Sequence, residues 1–157
     1  MEKKCLEIAY SEYESLAEMP AHERELMERA MAAAEGAYAP YSRFHVGAAV
    51  RLASGAIVTG CNQENIAYPS GLCAERTALF SASAQYPDQA VLQLAVVGHF
   101  EGAFTEASPC GACRQVMAEY EQRYGNKLTV FCYLTGGRIR KTEGVKSLLP
   151  FTFEADL

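Results

Sequence analysis

The chain has little of what would send it to a membrane or a polynucleotide. No long apolar run is present: the N-terminus opens Met1-Glu2-Lys3-Lys4-Cys5 and soon turns acidic, unlike a signal peptide or a spanning helix. A cytoplasmic protein without membrane contact is expected. There is no basic stripe either. Lys and Arg number 14 against 19 Asp and Glu, for a formal net charge of −5, and the cations are dispersed. A nucleic-acid polymer is therefore not the expected partner. Histidine is scarce, and His22, His45 and His99 read as surface or loop residues rather than metal ligands. Repeats and low-complexity segments are missing, and 157 residues, 50% of them hydrophobic, suit one domain with a modest core.

Cysteine is not scarce. In a reducing compartment the six cysteines are expected as thiols rather than three disulfides. Cys5, Cys61 and Cys132 lie in apolar or β-like surroundings and read as small packing residues. Cys73 opens the segment Cys73-Ala74-Glu75-Arg76, and the other two stand in Ser108-Pro109-Cys110-Gly111-Ala112-Cys113-Arg114-Gln115. A Cys-x-x-Cys pair lets two sulfurs reach one ion within a single turn, and a third sulfur from another segment completes a tripod. A structural zinc site is closed by a fourth protein ligand, whereas a catalytic one leaves that place to water. A ligand two residues before a glutamate, followed downstream by Pro-Cys-x-x-Cys, is the recognised signature of zinc deaminases, and the assignment rests on that match. Cys-x-x-Cys alone would read as a redox pair or half of a structural zinc knuckle. Cys-Ala-Glu upstream and the proline before the pair turn the reading to a hydrolytic zinc centre.

The segments after Cys73 and Cys110, 74–84 and 111–124, are rich in Ala, Leu, Glu, Gln and Met and are predicted helices. The ligands then sit at helix N-termini, where the positive end of the dipole favours thiolates. Three thiolates outweigh the charge of one zinc ion, so a cation should offset them. Arg76, one turn from Cys73, is the candidate, with Gln115 as a hydrogen-bonding partner behind the ligands. Glu75 is adjacent to a ligand without being one and is placed to shuttle protons, work typically worth about 10²–10⁴ in rate.

Elsewhere, Leu6, Ile8 and Tyr10 alternate as a short strand, and residues 21–37 carry helical spacing that Pro40 stops. An aromatic-rich loop over 38–44 precedes a hairpin of strands 46–52 and 56–61, in which Gly47, Ala48 and Ala49 are small enough to let a helix lie close. Residues 92–98 read as a buried strand that leads through a loop containing Gly102 and Thr105 to the Pro109 segment, and 128–134 as another such strand, followed by an extension over 138–141 and a helical turn over 145–149. Strands alternating with helices indicate a layered α/β fold with a mixed sheet. At the end of the hairpin stands Asn62-Gln63-Glu64-Asn65. Residues two apart on an extended segment point the same way, so Asn62 and Glu64 could grip a pair of hydroxyls, although Asn62 and Asn65 also suit an ordinary polar turn. A carboxylate there welcomes a sugar hydroxyl and repels phosphate, favouring a nucleoside over a nucleotide.

From about Ala30 onward the chain resembles the small, three-cysteine cytidine deaminases. The matching stretches are Tyr41-Ser42, Phe44 to Ala49, Asn62 to Asn65, Tyr68-Pro69, Cys73 to Thr77, Pro109 to Gln115 and Leu148-Leu149-Pro150. The resemblance implies a three-layer α/β/α sandwich with a mixed five-stranded sheet and one zinc ion per subunit, held by Cys73, Cys110 and Cys113. It implies hydrolysis of cytidine and deoxycytidine to uridine and deoxyuridine with release of ammonia, with Glu75 as the catalytic proton carrier. It further implies that Phe44 stacks on the pyrimidine, that Asn62 and Glu64 hold the ribose, and that backbone around Ala74 and Ser108 contacts the base. A homotetramer with shared active sites is implied, in which Tyr68 and Phe153 enter a neighbour's site. Two features depart from the family pattern. Residues 1–19 form an N-terminal extension to a catalytic domain over 20–157, suited to an added edge strand, and Phe151-Thr152-Phe153 makes Phe151 a competitor for the stacking role. The rival readings are a deaminase of another small aminopyrimidine nucleoside or antibiotic, a deaminase of tRNA or single-stranded DNA, and a non-catalytic structural zinc module. Intact Asn62 and Glu64 speak against the first and the acidic balance against the second.

Overall fold

Alternating apolar residues from Val46 to Leu52 make a strand, and Gly55, at a φ of +88°, turns it back on itself. In the computed structural model, which describes residues 1–154, this hairpin is β2 (His45–Leu52) and β3 (Ile57–Cys61). Residues 155–157, the end of the expected catalytic domain, lie outside the described residues. The remaining elements are β1 (Ser11–Tyr13), α1 (Ala21–Ala34), α2 (Ala74–Gln85), β4 (Val91–Phe100), β5 (Ala103–Thr105), α3 (Gly111–Tyr124), β6 (Thr129–Tyr133) and β7 (Ile139–Glu143). Short 3₁₀ turns connect several of them, including Val145–Ser147, where the helical turn was expected.

The strands form one mixed sheet in the order β1-β7-β6-β4-β2-β3, with β5 paired to β4. The β4–β6 pairing is parallel and the others are antiparallel. Helix α1 covers one face, packing Leu26, Met27 and Ala30 against Ala49, Ala95, Val97 and Phe131. Helices α2 and α3 cover the other, where Ala78, Leu79 and Met117 meet Val50, Leu94, Val96 and Val130. Two glycines set how close these layers come. A Cβ on Gly47 would lie 2.0 Å from the Ala30 carbonyl oxygen of α1, and one on Gly60 would lie 2.4 Å from the Ala78 nitrogen of α2. The expected close approach of a helix at Gly47 is thus present, and a second one fixes α2.

The three-layer α/β/α sandwich is as expected, but the sheet has seven strands rather than five. The added ones are β1 and β5, three residues each. β5 falls in the segment read as a loop. The edge strand of the N-terminal extension is found, though at Ser11–Tyr13 and not at Leu6–Tyr10. Leu6, Ile8 and Tyr10 are 59%, 46% and 60% exposed, so their alternation faces no core. β1 is held by its ladder to β7 and by polar side-chain contacts. Glu12 pairs with Arg138 at 2.8 Å and Arg140 at 3.3 Å, and the Tyr13 hydroxyl donates to the buried Glu23 carboxylate at 2.8 Å. Cys5 is exposed rather than packed, while Cys132 is buried as expected.

Candidate active site

Cys73 and Cys110 occupy the N-cap positions of α2 and α3 in extended conformation, and neither side chain caps its own helix. Their thiols are therefore free to face each other across the gap between the two helix ends. Cys113, in the first turn of α3, supplies the third sulfur from below and is fully buried. The Cys73 and Cys110 sulfurs are 3.9 Å apart and those of Cys110 and Cys113 3.5 Å, with all three within 4.8 Å of one another. A tetrahedral zinc ion with bonds of about 2.3 Å places its sulfur ligands roughly 3.8 Å apart, so the trio fits that ion. No histidine or carboxylate joins the group among the described residues, which leaves a fourth position for a non-protein ligand. His45 and His99 face each other across β2 and β4, with ring centroids 6.3 Å apart, and take no part.

The electrostatics favour thiolate. The Cys73 thiol is pulled down to about 5, chiefly by the hydrogen bond from Cys113 and then, against burial, by Arg76. Cys113 moves up because it keeps the proton the pair shares. Arg76 donates from Nη2 to the Cys73 sulfur at 3.4 Å, so the cation lies against the ligand set. Its Nε is buried with no hydrogen-bond partner among the described residues. Gln115 is placed differently. Its amide donates to the Phe153 carbonyl at 2.7 Å and fastens the C-terminal segment to α3.

Glu75 follows Cys73 in the first turn of α2 and is 4% exposed. Burial pushes its carboxyl above the ordinary carboxylate range, and the neighbouring Cys73 thiolate adds to the rise against an opposing backbone hydrogen bond. It lines a cavity of about 300 Å³ together with Phe44, Asn62, Cys73, Ser108 and Cys110, and Ala74 closes the same wall. A wider cleft of about 520 Å³ lies beside it, lined by Tyr41, Glu64, Tyr68 and Arg76 and sharing Asn62 and Cys73 with the first. A planar ring and an attached polar group could thus occupy adjoining compartments that meet at Asn62 and Cys73.

Asn62 stands at this junction and Glu64 lines the wider cleft, and both also hold the protein's own backbone. Asn62 donates from Nδ2 to the Phe44 carbonyl at 2.9 Å and accepts the Val46 amide at 2.7 Å. Glu64 accepts the amides of Tyr41 at 2.9 Å and Ser42 at 3.2 Å and the Ser42 hydroxyl. The Ser42 bond, helped by the two amides and opposed by burial, keeps the Glu64 carboxyl below its usual range, so it is anionic at neutral pH. Tyr68 is 73% exposed with its ring 5.8 Å from that of Tyr41, and Phe153 and Phe151 are exposed on the C-terminal segment.

Two supporting residues escaped the sequence reading. Arg114 donates to the Pro109 carbonyl at 2.7 Å and the Leu148 carbonyl at 2.8 Å, bracing the loop that carries Cys110. Both partners are non-local or backbone, so spacing gave no sign of them. Ser42 accepts the Phe44 amide at 3.0 Å, and the Ser-x-Phe pattern before a strand was the available signal, as serine hydroxyls commonly bind the backbone two residues on.

A profile for the cytidine and deoxycytidylate deaminase zinc-binding region matches residues 20–125. A cytidine deaminase from Sporosarcina psychrophila is 43% identical over 131 residues, covering 83% of this chain and 90% of that one. Another from Halalkalibacterium halodurans is 49% identical over 94 residues, covering 60% and 68% respectively. Among solved structures, cytidine deaminase from Burkholderia pseudomallei superposes with a TM-score of 0.73 at 44% identity, covering 86% of this chain and all of that one. The Mycobacterium tuberculosis enzyme gives 0.68 at 36% identity, with 85% and 98% covered.

Proposed function

Because the chain belongs to the cytidine deaminase family, we propose that it hydrolyses cytidine and deoxycytidine to uridine and deoxyuridine with release of ammonia. The observation that carries this reading is the three-sulfur tripod at the mouths of two helices, beside a buried glutamate. Zinc held there by Cys73, Cys110 and Cys113 supplies the Lewis acidity that makes water a competent nucleophile near neutral pH.

The chain's own residues do the rest. Phe44 stacks on the pyrimidine in the smaller compartment, where backbone around Ala74 and Ser108 meets the edge of the base. Asn62 and Glu64 hold the ribose in the larger one. Glu75 takes a proton from the attacking water and delivers it to N3 of the ring as the new C–O bond forms at C4. It then carries the second water proton to the amine, which leaves C4 as ammonia. A carboxyl raised by burial suits both halves of this cycle, since proton carriers work best with pKa values near the working pH. Arg76 offsets the negative charge of the ligand set.

The same reading has the protein acting in the cytoplasm as a homotetramer, with the exposed Tyr68 and Phe153 reaching a neighbouring subunit's site. No helix among the described residues is long and apolar enough to cross a membrane. Residues 20–157 are taken as the catalytic domain and residues 1–19 as an addition that extends its sheet.

A substrate panel tests the assignment. Zinc-loaded protein is expected to turn over cytidine and deoxycytidine and to reject cytidine monophosphate, because the anionic Glu64 faces the sugar compartment. Full zinc occupancy without turnover of any cytosine nucleoside would instead favour a structural zinc module.

A further inference from the structure

The backbone of Phe44 is fastened on both sides. Its carbonyl accepts from Asn62 at 2.9 Å, and its amide donates to the Ser42 hydroxyl oxygen at 3.0 Å. That hydroxyl has a single proton. Glu64, as an anion, only accepts, so the proton must point to the carboxylate. The direction of the chain is fixed: Phe44 amide to Ser42 oxygen, Ser42 proton to Glu64 Oε1. Glu64 Oε2 is taken up by the amides of Tyr41 and Ser42, which leaves Oε1 the oxygen with a lone pair to offer a ligand.

Two further features show that this loop is held rather than at rest. Arg43, between Ser42 and Phe44, has a φ of +57°, a left-handed conformation that a non-glycine residue keeps only where its surroundings enforce it. The Phe44 ring is seated directly on Gly98, where a Cβ would come within 2.7 Å of Cζ. The ring position therefore follows its backbone, and its backbone follows Ser42.

We infer that Ser42 is a positioning residue that couples the carboxylate on the sugar side of the cleft to the aromatic ring on the base side. This rests on the proposed substrate roles of Glu64 and Phe44. Grip on the sugar hydroxyl and placement of the stacking ring become one event, transmitted through one hydroxyl.

The test has two readouts on the zinc-loaded full chain. Hydrogen exchange at the Phe44 amide is expected to speed up about tenfold in Ser42→Ala, the worth of one hydrogen bond of roughly 1.4 kcal/mol, and to be restored in Ser42→Thr. Calorimetric titration with uridine is expected to show affinity about tenfold weaker in Ser42→Ala, with KM for cytidine rising in parallel and kcat and zinc content nearly unchanged. Ser42 lies on the exposed loop surface, so folding survives the change. Unchanged exchange at Phe44 overturns the relay itself. Faster exchange with unchanged uridine affinity overturns its part in binding, provided Glu64→Gln and Phe44→Leu do weaken uridine. If those two variants bind uridine normally, the substrate reading fails instead. Loss of zinc together with kcat in Ser42→Ala would mark a merely structural role and also overturn the inference.

Discussion

Arg76 Nη2 stands 3.4 Å from the sulfur of Cys73, which sets a guanidinium against the ligand trio. Three thiolates around a divalent ion leave net negative charge, and the proposed role of this arginine is to offset it. Arg76→Gln is expected to keep the fold while weakening zinc affinity or turnover about 10–100-fold, the usual effect of losing a group that supports a metal ligand. Zinc titration against a competing chelator measures the first and initial rates the second.

Glu75 carries a different expectation. Glu75→Gln preserves size and burial but cannot exchange protons, so it should retain zinc at wild-type stoichiometry and lose about 10²–10⁴ in kcat. Metal analysis and rates on the same sample separate this from an unfolded variant.

The two close glycines separate fold from site. Gly47→Ala would drive a methyl into the α1 backbone and Gly60→Ala one into α2, at 2.0 Å and 2.4 Å respectively. Each should destabilise by more than about 1–3 kcal/mol, because backbone rather than a flexible side chain must move. Only Gly60→Ala displaces the helix that begins at Cys73 and Glu75, so it alone should also weaken zinc binding in the protein that remains folded.

The N-terminal strand should register in alkaline stability. Burial and then the Glu23 hydrogen bond raise the Tyr13 phenol above its ordinary 10.0. Burial opposes the charge on Lys141, but the Glu23 carboxylate at 2.8 Å, with Tyr13 and Glu143 nearby, outweighs it and raises that group above 10.5. Both groups bind protons more tightly when folded, so their contribution is complete below about pH 10 and is lost as pH climbs past it. Tyr13→Phe is expected to lower stability by about 1.5 kcal/mol near neutrality and to flatten this alkaline decline, measured by urea unfolding across pH.

Much of this was legible in the sequence because the signals were local. Helix α3 spans Gly111–Tyr124 as the composition indicated, and the spacing of Cys73, Cys110 and Cys113 pointed to the three sulfurs that the fold brings together. The misreadings share a physical cause: partners distant in the chain. β1 forms at Ser11–Tyr13 because Glu12 meets Arg138 and Arg140 and Tyr13 meets Glu23, whereas the apolar alternation before it finds no sheet to face. β5 is short and exposed and exists by pairing with the end of β4. Gln115 points to the C-terminal segment and not to a thiol, and no local pattern told which. Asn62 lines both compartments of the cleft, and its amide also accepts the Val46 N–H and donates to the Phe44 carbonyl, bonds between residues far enough apart in the chain that spacing did not show them.

Uridine formation measured against bound zinc, in wild type and Cys110→Ala side by side, bears most directly on the chemistry placed at the three sulfurs. The expected result is one zinc per chain with uridine and ammonia released in equal amounts, and loss of both metal and turnover in the variant. A Cys110→Ala protein that deaminates cytidine while free of zinc would contradict it.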